Sequence, residues 1–155
     1  MKMRFAALTL SIMAASYVAL GLFSFPLSFI AAIIPQQLLG AAGVETQLVF
    51  AGGSHHLAAA EWDAEINEAC WGRLELAVLF AVILASENRA LKKRLGGVAL
   101  GSALALLAFN PLRITISLLT LNELLHDVLF RASLLLAIVG YYAWWYKNSG
   151  GVNKT

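Results

Sequence analysis

From Phe5 to about Ile34 the chain carries no charged residue, and further apolar runs follow at Trp71 to Ala85, Gly96 to Phe109 and up to Tyr146. The first run alone exceeds the roughly 20 residues that a helix needs to cross a bilayer. The remainder cannot offset it. With 60% hydrophobic and 13% charged residues and a mean hydropathy of +0.75, there is too little polar surface to cover a soluble globule. The sequence therefore predicts an all-α integral membrane protein, one membrane domain over residues 1–155, with about four transmembrane helices near 5–25, 70–86, 95–112 and 127–146.

The basic start Met1-Lys2-Met3-Arg4 also fits a signal peptide. The run behind it is longer than the apolar core of such a leader, so it is read as a retained span. Pro26 and Pro35 are expected to break it into one crossing helix and a short interfacial piece.

Charge is segregated along the chain. Lys2 and Arg4, then Arg89, Lys92, Lys93 and Arg94, then Lys147 flank the apolar runs, which places both termini and the 87–94 turn in the cytoplasm. Residues 36–69 carry Glu45, Glu61, Asp63, Glu65 and Glu68 without Lys or Arg, and this marks them as external. The expected location is thus a multi-pass protein of the plasma membrane, in contact with membrane lipids and with no nucleic-acid partner.

Inside the external segment, Thr46 to Phe50 is rich in strand formers and ends at Gly52-Gly53, while Glu61 to Asn67 alternates polar with apolar residues. A period of two reads as half-buried strand, so a small β-hairpin or a solvated loop leads into Cys70. Further on, Gly97 and Gly101 have the spacing that lets helices approach closely. Asn110-Pro111 reads as a helix start, and Tyr141 to Tyr146 reads as an interfacial aromatic belt.

Cys70 is the chain's one cysteine and excludes an internal disulfide. A lone thiol at a membrane boundary is either a small apolar packer or a nucleophile. Four crossings bring Cys70, Arg73, Arg113, His126 and Arg131 to the external side, although they come from separate helices. Arginine within a span is expensive and usually faces the bundle interior with a function, though Arg113 could snorkel to headgroups and Arg131 could pair with Asp127. A helix N-terminus and Arg73 at i+3 would both lower the pKa of Cys70, and His126 could serve as a base. Glu75 lies on another helical face and is expected either to pair with a basic residue or to be protonated. His55 and His56 lack ligand spacing with Cys70, so neither a metal nor a cofactor is expected.

Ala69-Cys70-Trp71-Gly72, then Asn110-Pro111-Leu112-Arg113-Ile114, then His126-Asp127 with Arg131 opening the last helix, together resemble the exosortase/archaeosortase family of membrane cysteine transpeptidases, over roughly Val44 to Tyr146. The resemblance implies a sortase-like enzyme that acts on the external face. It would cleave a C-terminal sorting-signal peptide of secreted proteins and transfer the product to a lipid or other surface acceptor. By position, Cys70 is the nucleophile and Arg113 the arginine of the site. The third catalytic position is His126 or Arg131. Two features depart from the family: there are fewer spans, and Trp71 follows the cysteine where a small polar residue is common. The competing expectation is a non-enzymatic membrane assembly or lipid-binding partner protein.

Overall fold

A computed structural model describes residues 2–121 and 130–150, and for Lys2, Phe130 and Arg131 the backbone only. The described residues form mostly helix with one small sheet: α1 (Lys2–Gly21), α2 (Ser24–Ala41), β1 (Gln47–Ala51), β2 (Ser54–Ala58), β3 (Asp63–Ile66), α3 (Glu68–Trp71), α4 (Arg73–Leu84), α5 (Leu91–Leu104), a π-helical turn (Ala105–Phe109), α6 (Asn110–Thr120) and α7 (Phe130–Asn148).

Three helical segments are long and apolar enough to cross a membrane: Met3–Gly21, Ser24–Ala41 and Leu91–Thr120. They match the expected spans only in part. The N-terminal run breaks at Leu22-Phe23, and its second piece is a helix of 18 residues that continues past Pro35 instead of ending near it. Pro26 lies in the first turn of α2, where a missing N–H removes no intrahelical bond. The 70–86 span is divided at Gly72. That leaves α4 with 12 residues, about 18 Å at 1.5 Å per residue and short of a hydrocarbon core of about 30 Å. The 95–112 span is one part of the 30-residue run Leu91–Thr120. The last helix begins at Phe130 and ends at Asn148; residues 127–129 lie outside the described residues.

α4 is the centre of the fold. It is apolar on all sides, with Leu76, Ala77, Leu79, Ala81 and Ile83 buried, as expected for a helix surrounded by others. α1 lies antiparallel along it. Arg4 pairs with Glu87 at one end (3.7 Å), and the Arg73 Nε donates to the Tyr17 carbonyl at the other (2.9 Å). No residue of Met3–Gly21 is buried, so the rest of the α1 surface is an exposed apolar face. α5 and α7 cover α4 elsewhere. As the glycine spacing predicts, Gly97 and Gly101 are buried where α7 approaches: a Cβ on Gly97 would lie 2.4 Å from the Trp145 indole nitrogen, and one on Gly101 2.6 Å from the Tyr141 ring.

The basic turn between α4 and α5 also closes helix ends. Arg89 donates to the Tyr146 carbonyl and Ser149 Oγ (2.8 and 2.7 Å), Lys93 to the Ser149 carbonyl (2.5 Å), and Arg94 to the Leu84 carbonyl (2.5 Å). Carbonyls at helix C-termini lack intrahelical partners and attract cations. Arg4, the 89–94 cluster and the C-terminal turn of α7 therefore gather at one end of the fold.

At the opposite end the expected hairpin is a three-stranded antiparallel sheet in the order β1-β2-β3. β1 and β3 fall within the predicted strands. Between them β2 pairs with both, Gln47 facing Ala58 and His55 facing Ile66. Gly52 and Gly53, both at positive φ, make the two-residue turn that favours such pairing. Ser54-His55-His56-Leu57-Ala58 has few strand formers, but it alternates: His55 and Leu57 are buried against α2 while their neighbours are half-exposed. The His55 ring sits among Phe25, Phe29 and Phe50 (4.9–5.6 Å between centroids), with Nδ1 2.9 Å from Ser28 Oγ.

Candidate active site

Cys70 does not begin α4, as the sequence suggested. It lies on α3, a single turn held apart from α4 by Gly72 in the left-handed region (φ 79°, ψ 43°). Asn67 caps this turn, its Oδ1 accepting from the amides of Ala69 (3.1 Å) and Cys70 (3.3 Å). The thiol is 3.6 Å from the Glu65 carbonyl, to which it donates, so β3 and α3 together fix its direction.

Arg113 reaches this turn from α6. Its Nη2 donates to the Cys70 carbonyl at 3.1 Å and to Asn110 Oδ1 at 2.6 Å, and the side chain is buried. The expected meeting of Cys70 and Arg113, 43 residues apart in sequence, is therefore present in the fold. The π-turn explains how. In an unbroken α-helix Arg113 would fall roughly 140° from the buried Gly97–Gly101 face, and one extra residue swings it back by roughly 100°. Asn110, expected as a helix cap, lies instead within the helix with a φ of −67° and acts as the buried acceptor that holds Arg113.

Arg73 does not serve the thiol. It points toward α1, donating to Glu68 Oε2 (2.6 Å) and to the Tyr17 carbonyl, with its guanidinium 4.0 Å from the centre of the Tyr17 ring. Ser24 Oγ donates to the other Glu68 oxygen at 2.8 Å. Those two donors hold the Glu68 carboxyl below its usual pKa. The Ser24–Glu68–Arg73 network ties the α1–α2 joint to α3; an isolated Glu five residues before an Arg gave no sign of it.

The thiol pKa is also not depressed. Burial pushes it above its ordinary value near 9, the Asn67 backbone amide and the Arg113 charge pull it partly back, and the Glu65 carboxylate adds to the rise. At neutral pH the resting side chain is the thiol, not the thiolate. Glu75 is within electrostatic reach of Arg113.

Of the two candidates for the third catalytic position, His126 lies outside the described residues, as does Asp127. Arg131 is in the first turn of α7, and its side chain is likewise outside what is described. The start of α7 does lie at the Cys70 end: a Cβ on Gly72 would be 2.8 Å from the Leu134 Cδ2. Leu134 also lines an apolar cavity of about 200 Å³ with Leu79, Gly101, Ala105, Phe109 and Ile138. Among the described residues no group of His, Cys, Asp and Glu could hold a metal ion. His56 pairs with Asp63 (3.1 Å) on the exposed side of the sheet while His55 is buried on the other, so the two histidines point apart.

Compared with protein-family models, with curated proteins and with solved structures, the chain matches none.

Proposed function

We propose that the chain is a membrane cysteine transpeptidase that cleaves the C-terminal sorting signal of secreted proteins and passes the product to a lipid or other surface acceptor. The observation that supports it best is the arrival of the buried Arg113 guanidinium at the Cys70 turn. A cation beside a developing thiolate and oxyanion stabilises both. In the reaction the Cys70 proton passes to a base, for which His126 is the candidate, and Sγ forms a bond to the scissile carbonyl carbon. Collapse of the tetrahedral intermediate breaks the C–N bond, and the amine leaves with a proton. The acceptor's amine or hydroxyl then displaces the thioester, restoring the thiol. Because burial keeps the resting thiol protonated, substrate has to bring about the deprotonation by redirecting Arg113 from the Cys70 carbonyl toward the sulfur.

The gathering of Arg4, Arg89 to Arg94 and Lys147 at one end supports a multi-pass orientation with that end cytoplasmic and Cys70 external. External labelling of Lys92→Cys, in a Cys70→Ala background, would contradict this orientation.

A second reading rests on the same contacts. Arg113 bonded to the Cys70 backbone, beside a thiol kept protonated, also fits a packing tie in a non-enzymatic membrane protein. One experiment separates the two. Co-expression with a substrate bearing a sorting motif, apolar helix and basic tail is expected to give processing that Cys70→Ala and Cys70→Ser abolish at matched membrane levels. Full processing by Cys70→Ala would overturn the transpeptidase reading.

A further inference from the structure

We propose that the groove between α5 and α7, at the end opposite Cys70, binds the phosphate headgroup and upper acyl chain of an anionic phospholipid. The inference uses the membrane reading but not the chemistry at Cys70.

The groove has a volume of about 310 Å³, within the range of about 300–1,000 Å³ typical of small-molecule sites. Gly96, Gly97 and Leu100 of α5 form one wall, and Trp144 and Trp145 of α7 the other. Gly97 gives up its side-chain volume to the Trp145 indole, and nothing lies within 4 Å of where a Gly96 Cβ would stand. The walls are therefore apolar and aromatic, and Trp144 and Leu100 remain exposed. Lys93 and Asn148 stand at the polar end.

Charge selects the occupant. Arg89, Lys92, Lys93, Arg94 and Lys147 surround this end, and from residue 88 to 121 and from 130 to 150 the chain contains no carboxylate side chain. Arg89 and Arg94 are engaged with helix-terminal carbonyls. The Lys93 ammonium donates to the Ser149 carbonyl and is held at the groove mouth with further protons to donate. Lys92 and Lys147 are exposed on the adjoining turns. An uncompensated cationic rim above an apolar, tryptophan-lined wall matches an anionic amphiphile rather than a soluble anion or a neutral lipid.

The test is native mass spectrometry of the full chain in neutral detergent with phosphatidylglycerol, phosphatidylcholine or inorganic phosphate added. Wild type is expected to retain one phosphatidylglycerol in preference to phosphatidylcholine. Each lysine near an anionic headgroup contributes roughly fivefold, so Lys92→Gln/Lys93→Gln/Lys147→Gln is expected to weaken binding about 100-fold. Gly96→Leu keeps every charge, fills the groove from a position with open space and favours the helix; it is expected to lose the lipid while keeping its circular dichroism. Equal retention of phosphatidylcholine, displacement of the lipid by millimolar phosphate, or unchanged binding by Gly96→Leu would each overturn the proposal.

Discussion

Replacing Gly72 by Ala tests the joint that separates the Cys70 turn from α4. Gly72 has φ +79°, a region that costs an ordinary L-residue about 1–2 kcal/mol. The new Cβ would also stand 2.8 Å from Leu134 Cδ2. That methyl ends a flexible side chain, so the overpacking falls at the low end of the usual range, about 1 kcal/mol. The expected loss is thus about 2–3 kcal/mol, measured by reversible SDS titration in mixed micelles followed by far-ultraviolet circular dichroism. A double-mutant cycle divides the two contributions. Leu134 is buried, and Leu134→Ala alone should cost about 2–5 kcal/mol. In Gly72→Ala/Leu134→Ala the clash is gone and only the backbone strain remains, so the double variant should fall short of additivity by about 1 kcal/mol. Full additivity would show that Leu134 does not constrain the joint. A Gly72→Ala as stable as wild type would refute both the strain and the contact.

Three further outcomes are expected. Alkylation of Cys70 by neutral iodoacetamide should rise with pH through a midpoint above the ordinary value near 9, and Arg113→Ala should move it higher still because the guanidinium pulls it down; a midpoint below that of a free thiol would contradict the buried, protonated resting state. Gly97→Ala should lose about 1–3 kcal/mol although alanine is the better helix former, since its Cβ would enter the rigid Trp145 indole, and a raised thermal midpoint would show that α5 and α7 are not in contact there. Burial holds His55 below its ordinary pKa of 6.5, so the unfolded chain takes up a proton first as the pH falls. The contribution of His55 is complete above about 6.5 and is lost as pH drops through the depressed folded value; His55→Phe should flatten this acid-side slope, and an unchanged slope would remove His55 as its source.

Much of this could be read in the chain because it depends on local composition. Charge-free runs specify apolar helices, alternation at Glu61 to Asn67 specifies a strand, and the Gly97–Gly101 spacing specifies a close helix contact. The ends at which Arg4, Arg89 to Arg94 and Lys147 gather follow from the same runs. What the chain left open depends on partners far away in sequence. β2 is a strand because β1 and β3 supply its hydrogen bonds and α2 covers His55 and Leu57, not because Ser54 to Ala58 favours one. Arg73 was an obvious neighbour for Cys70 by helical spacing, but the left-handed Gly72 separates the two, and Glu68 and Tyr17 take the guanidinium. The π-turn at Ala105–Phe109 has no sequence signature here, and it decides which face Arg113 presents. Sequence spacing measured the cations near Cys70, whereas the thiol pKa follows from how much water the tertiary fold removes. Desolvation outweighs the charge of Arg113, and that balance is set by residues from α3, β3 and α6 packed around one sulfur atom.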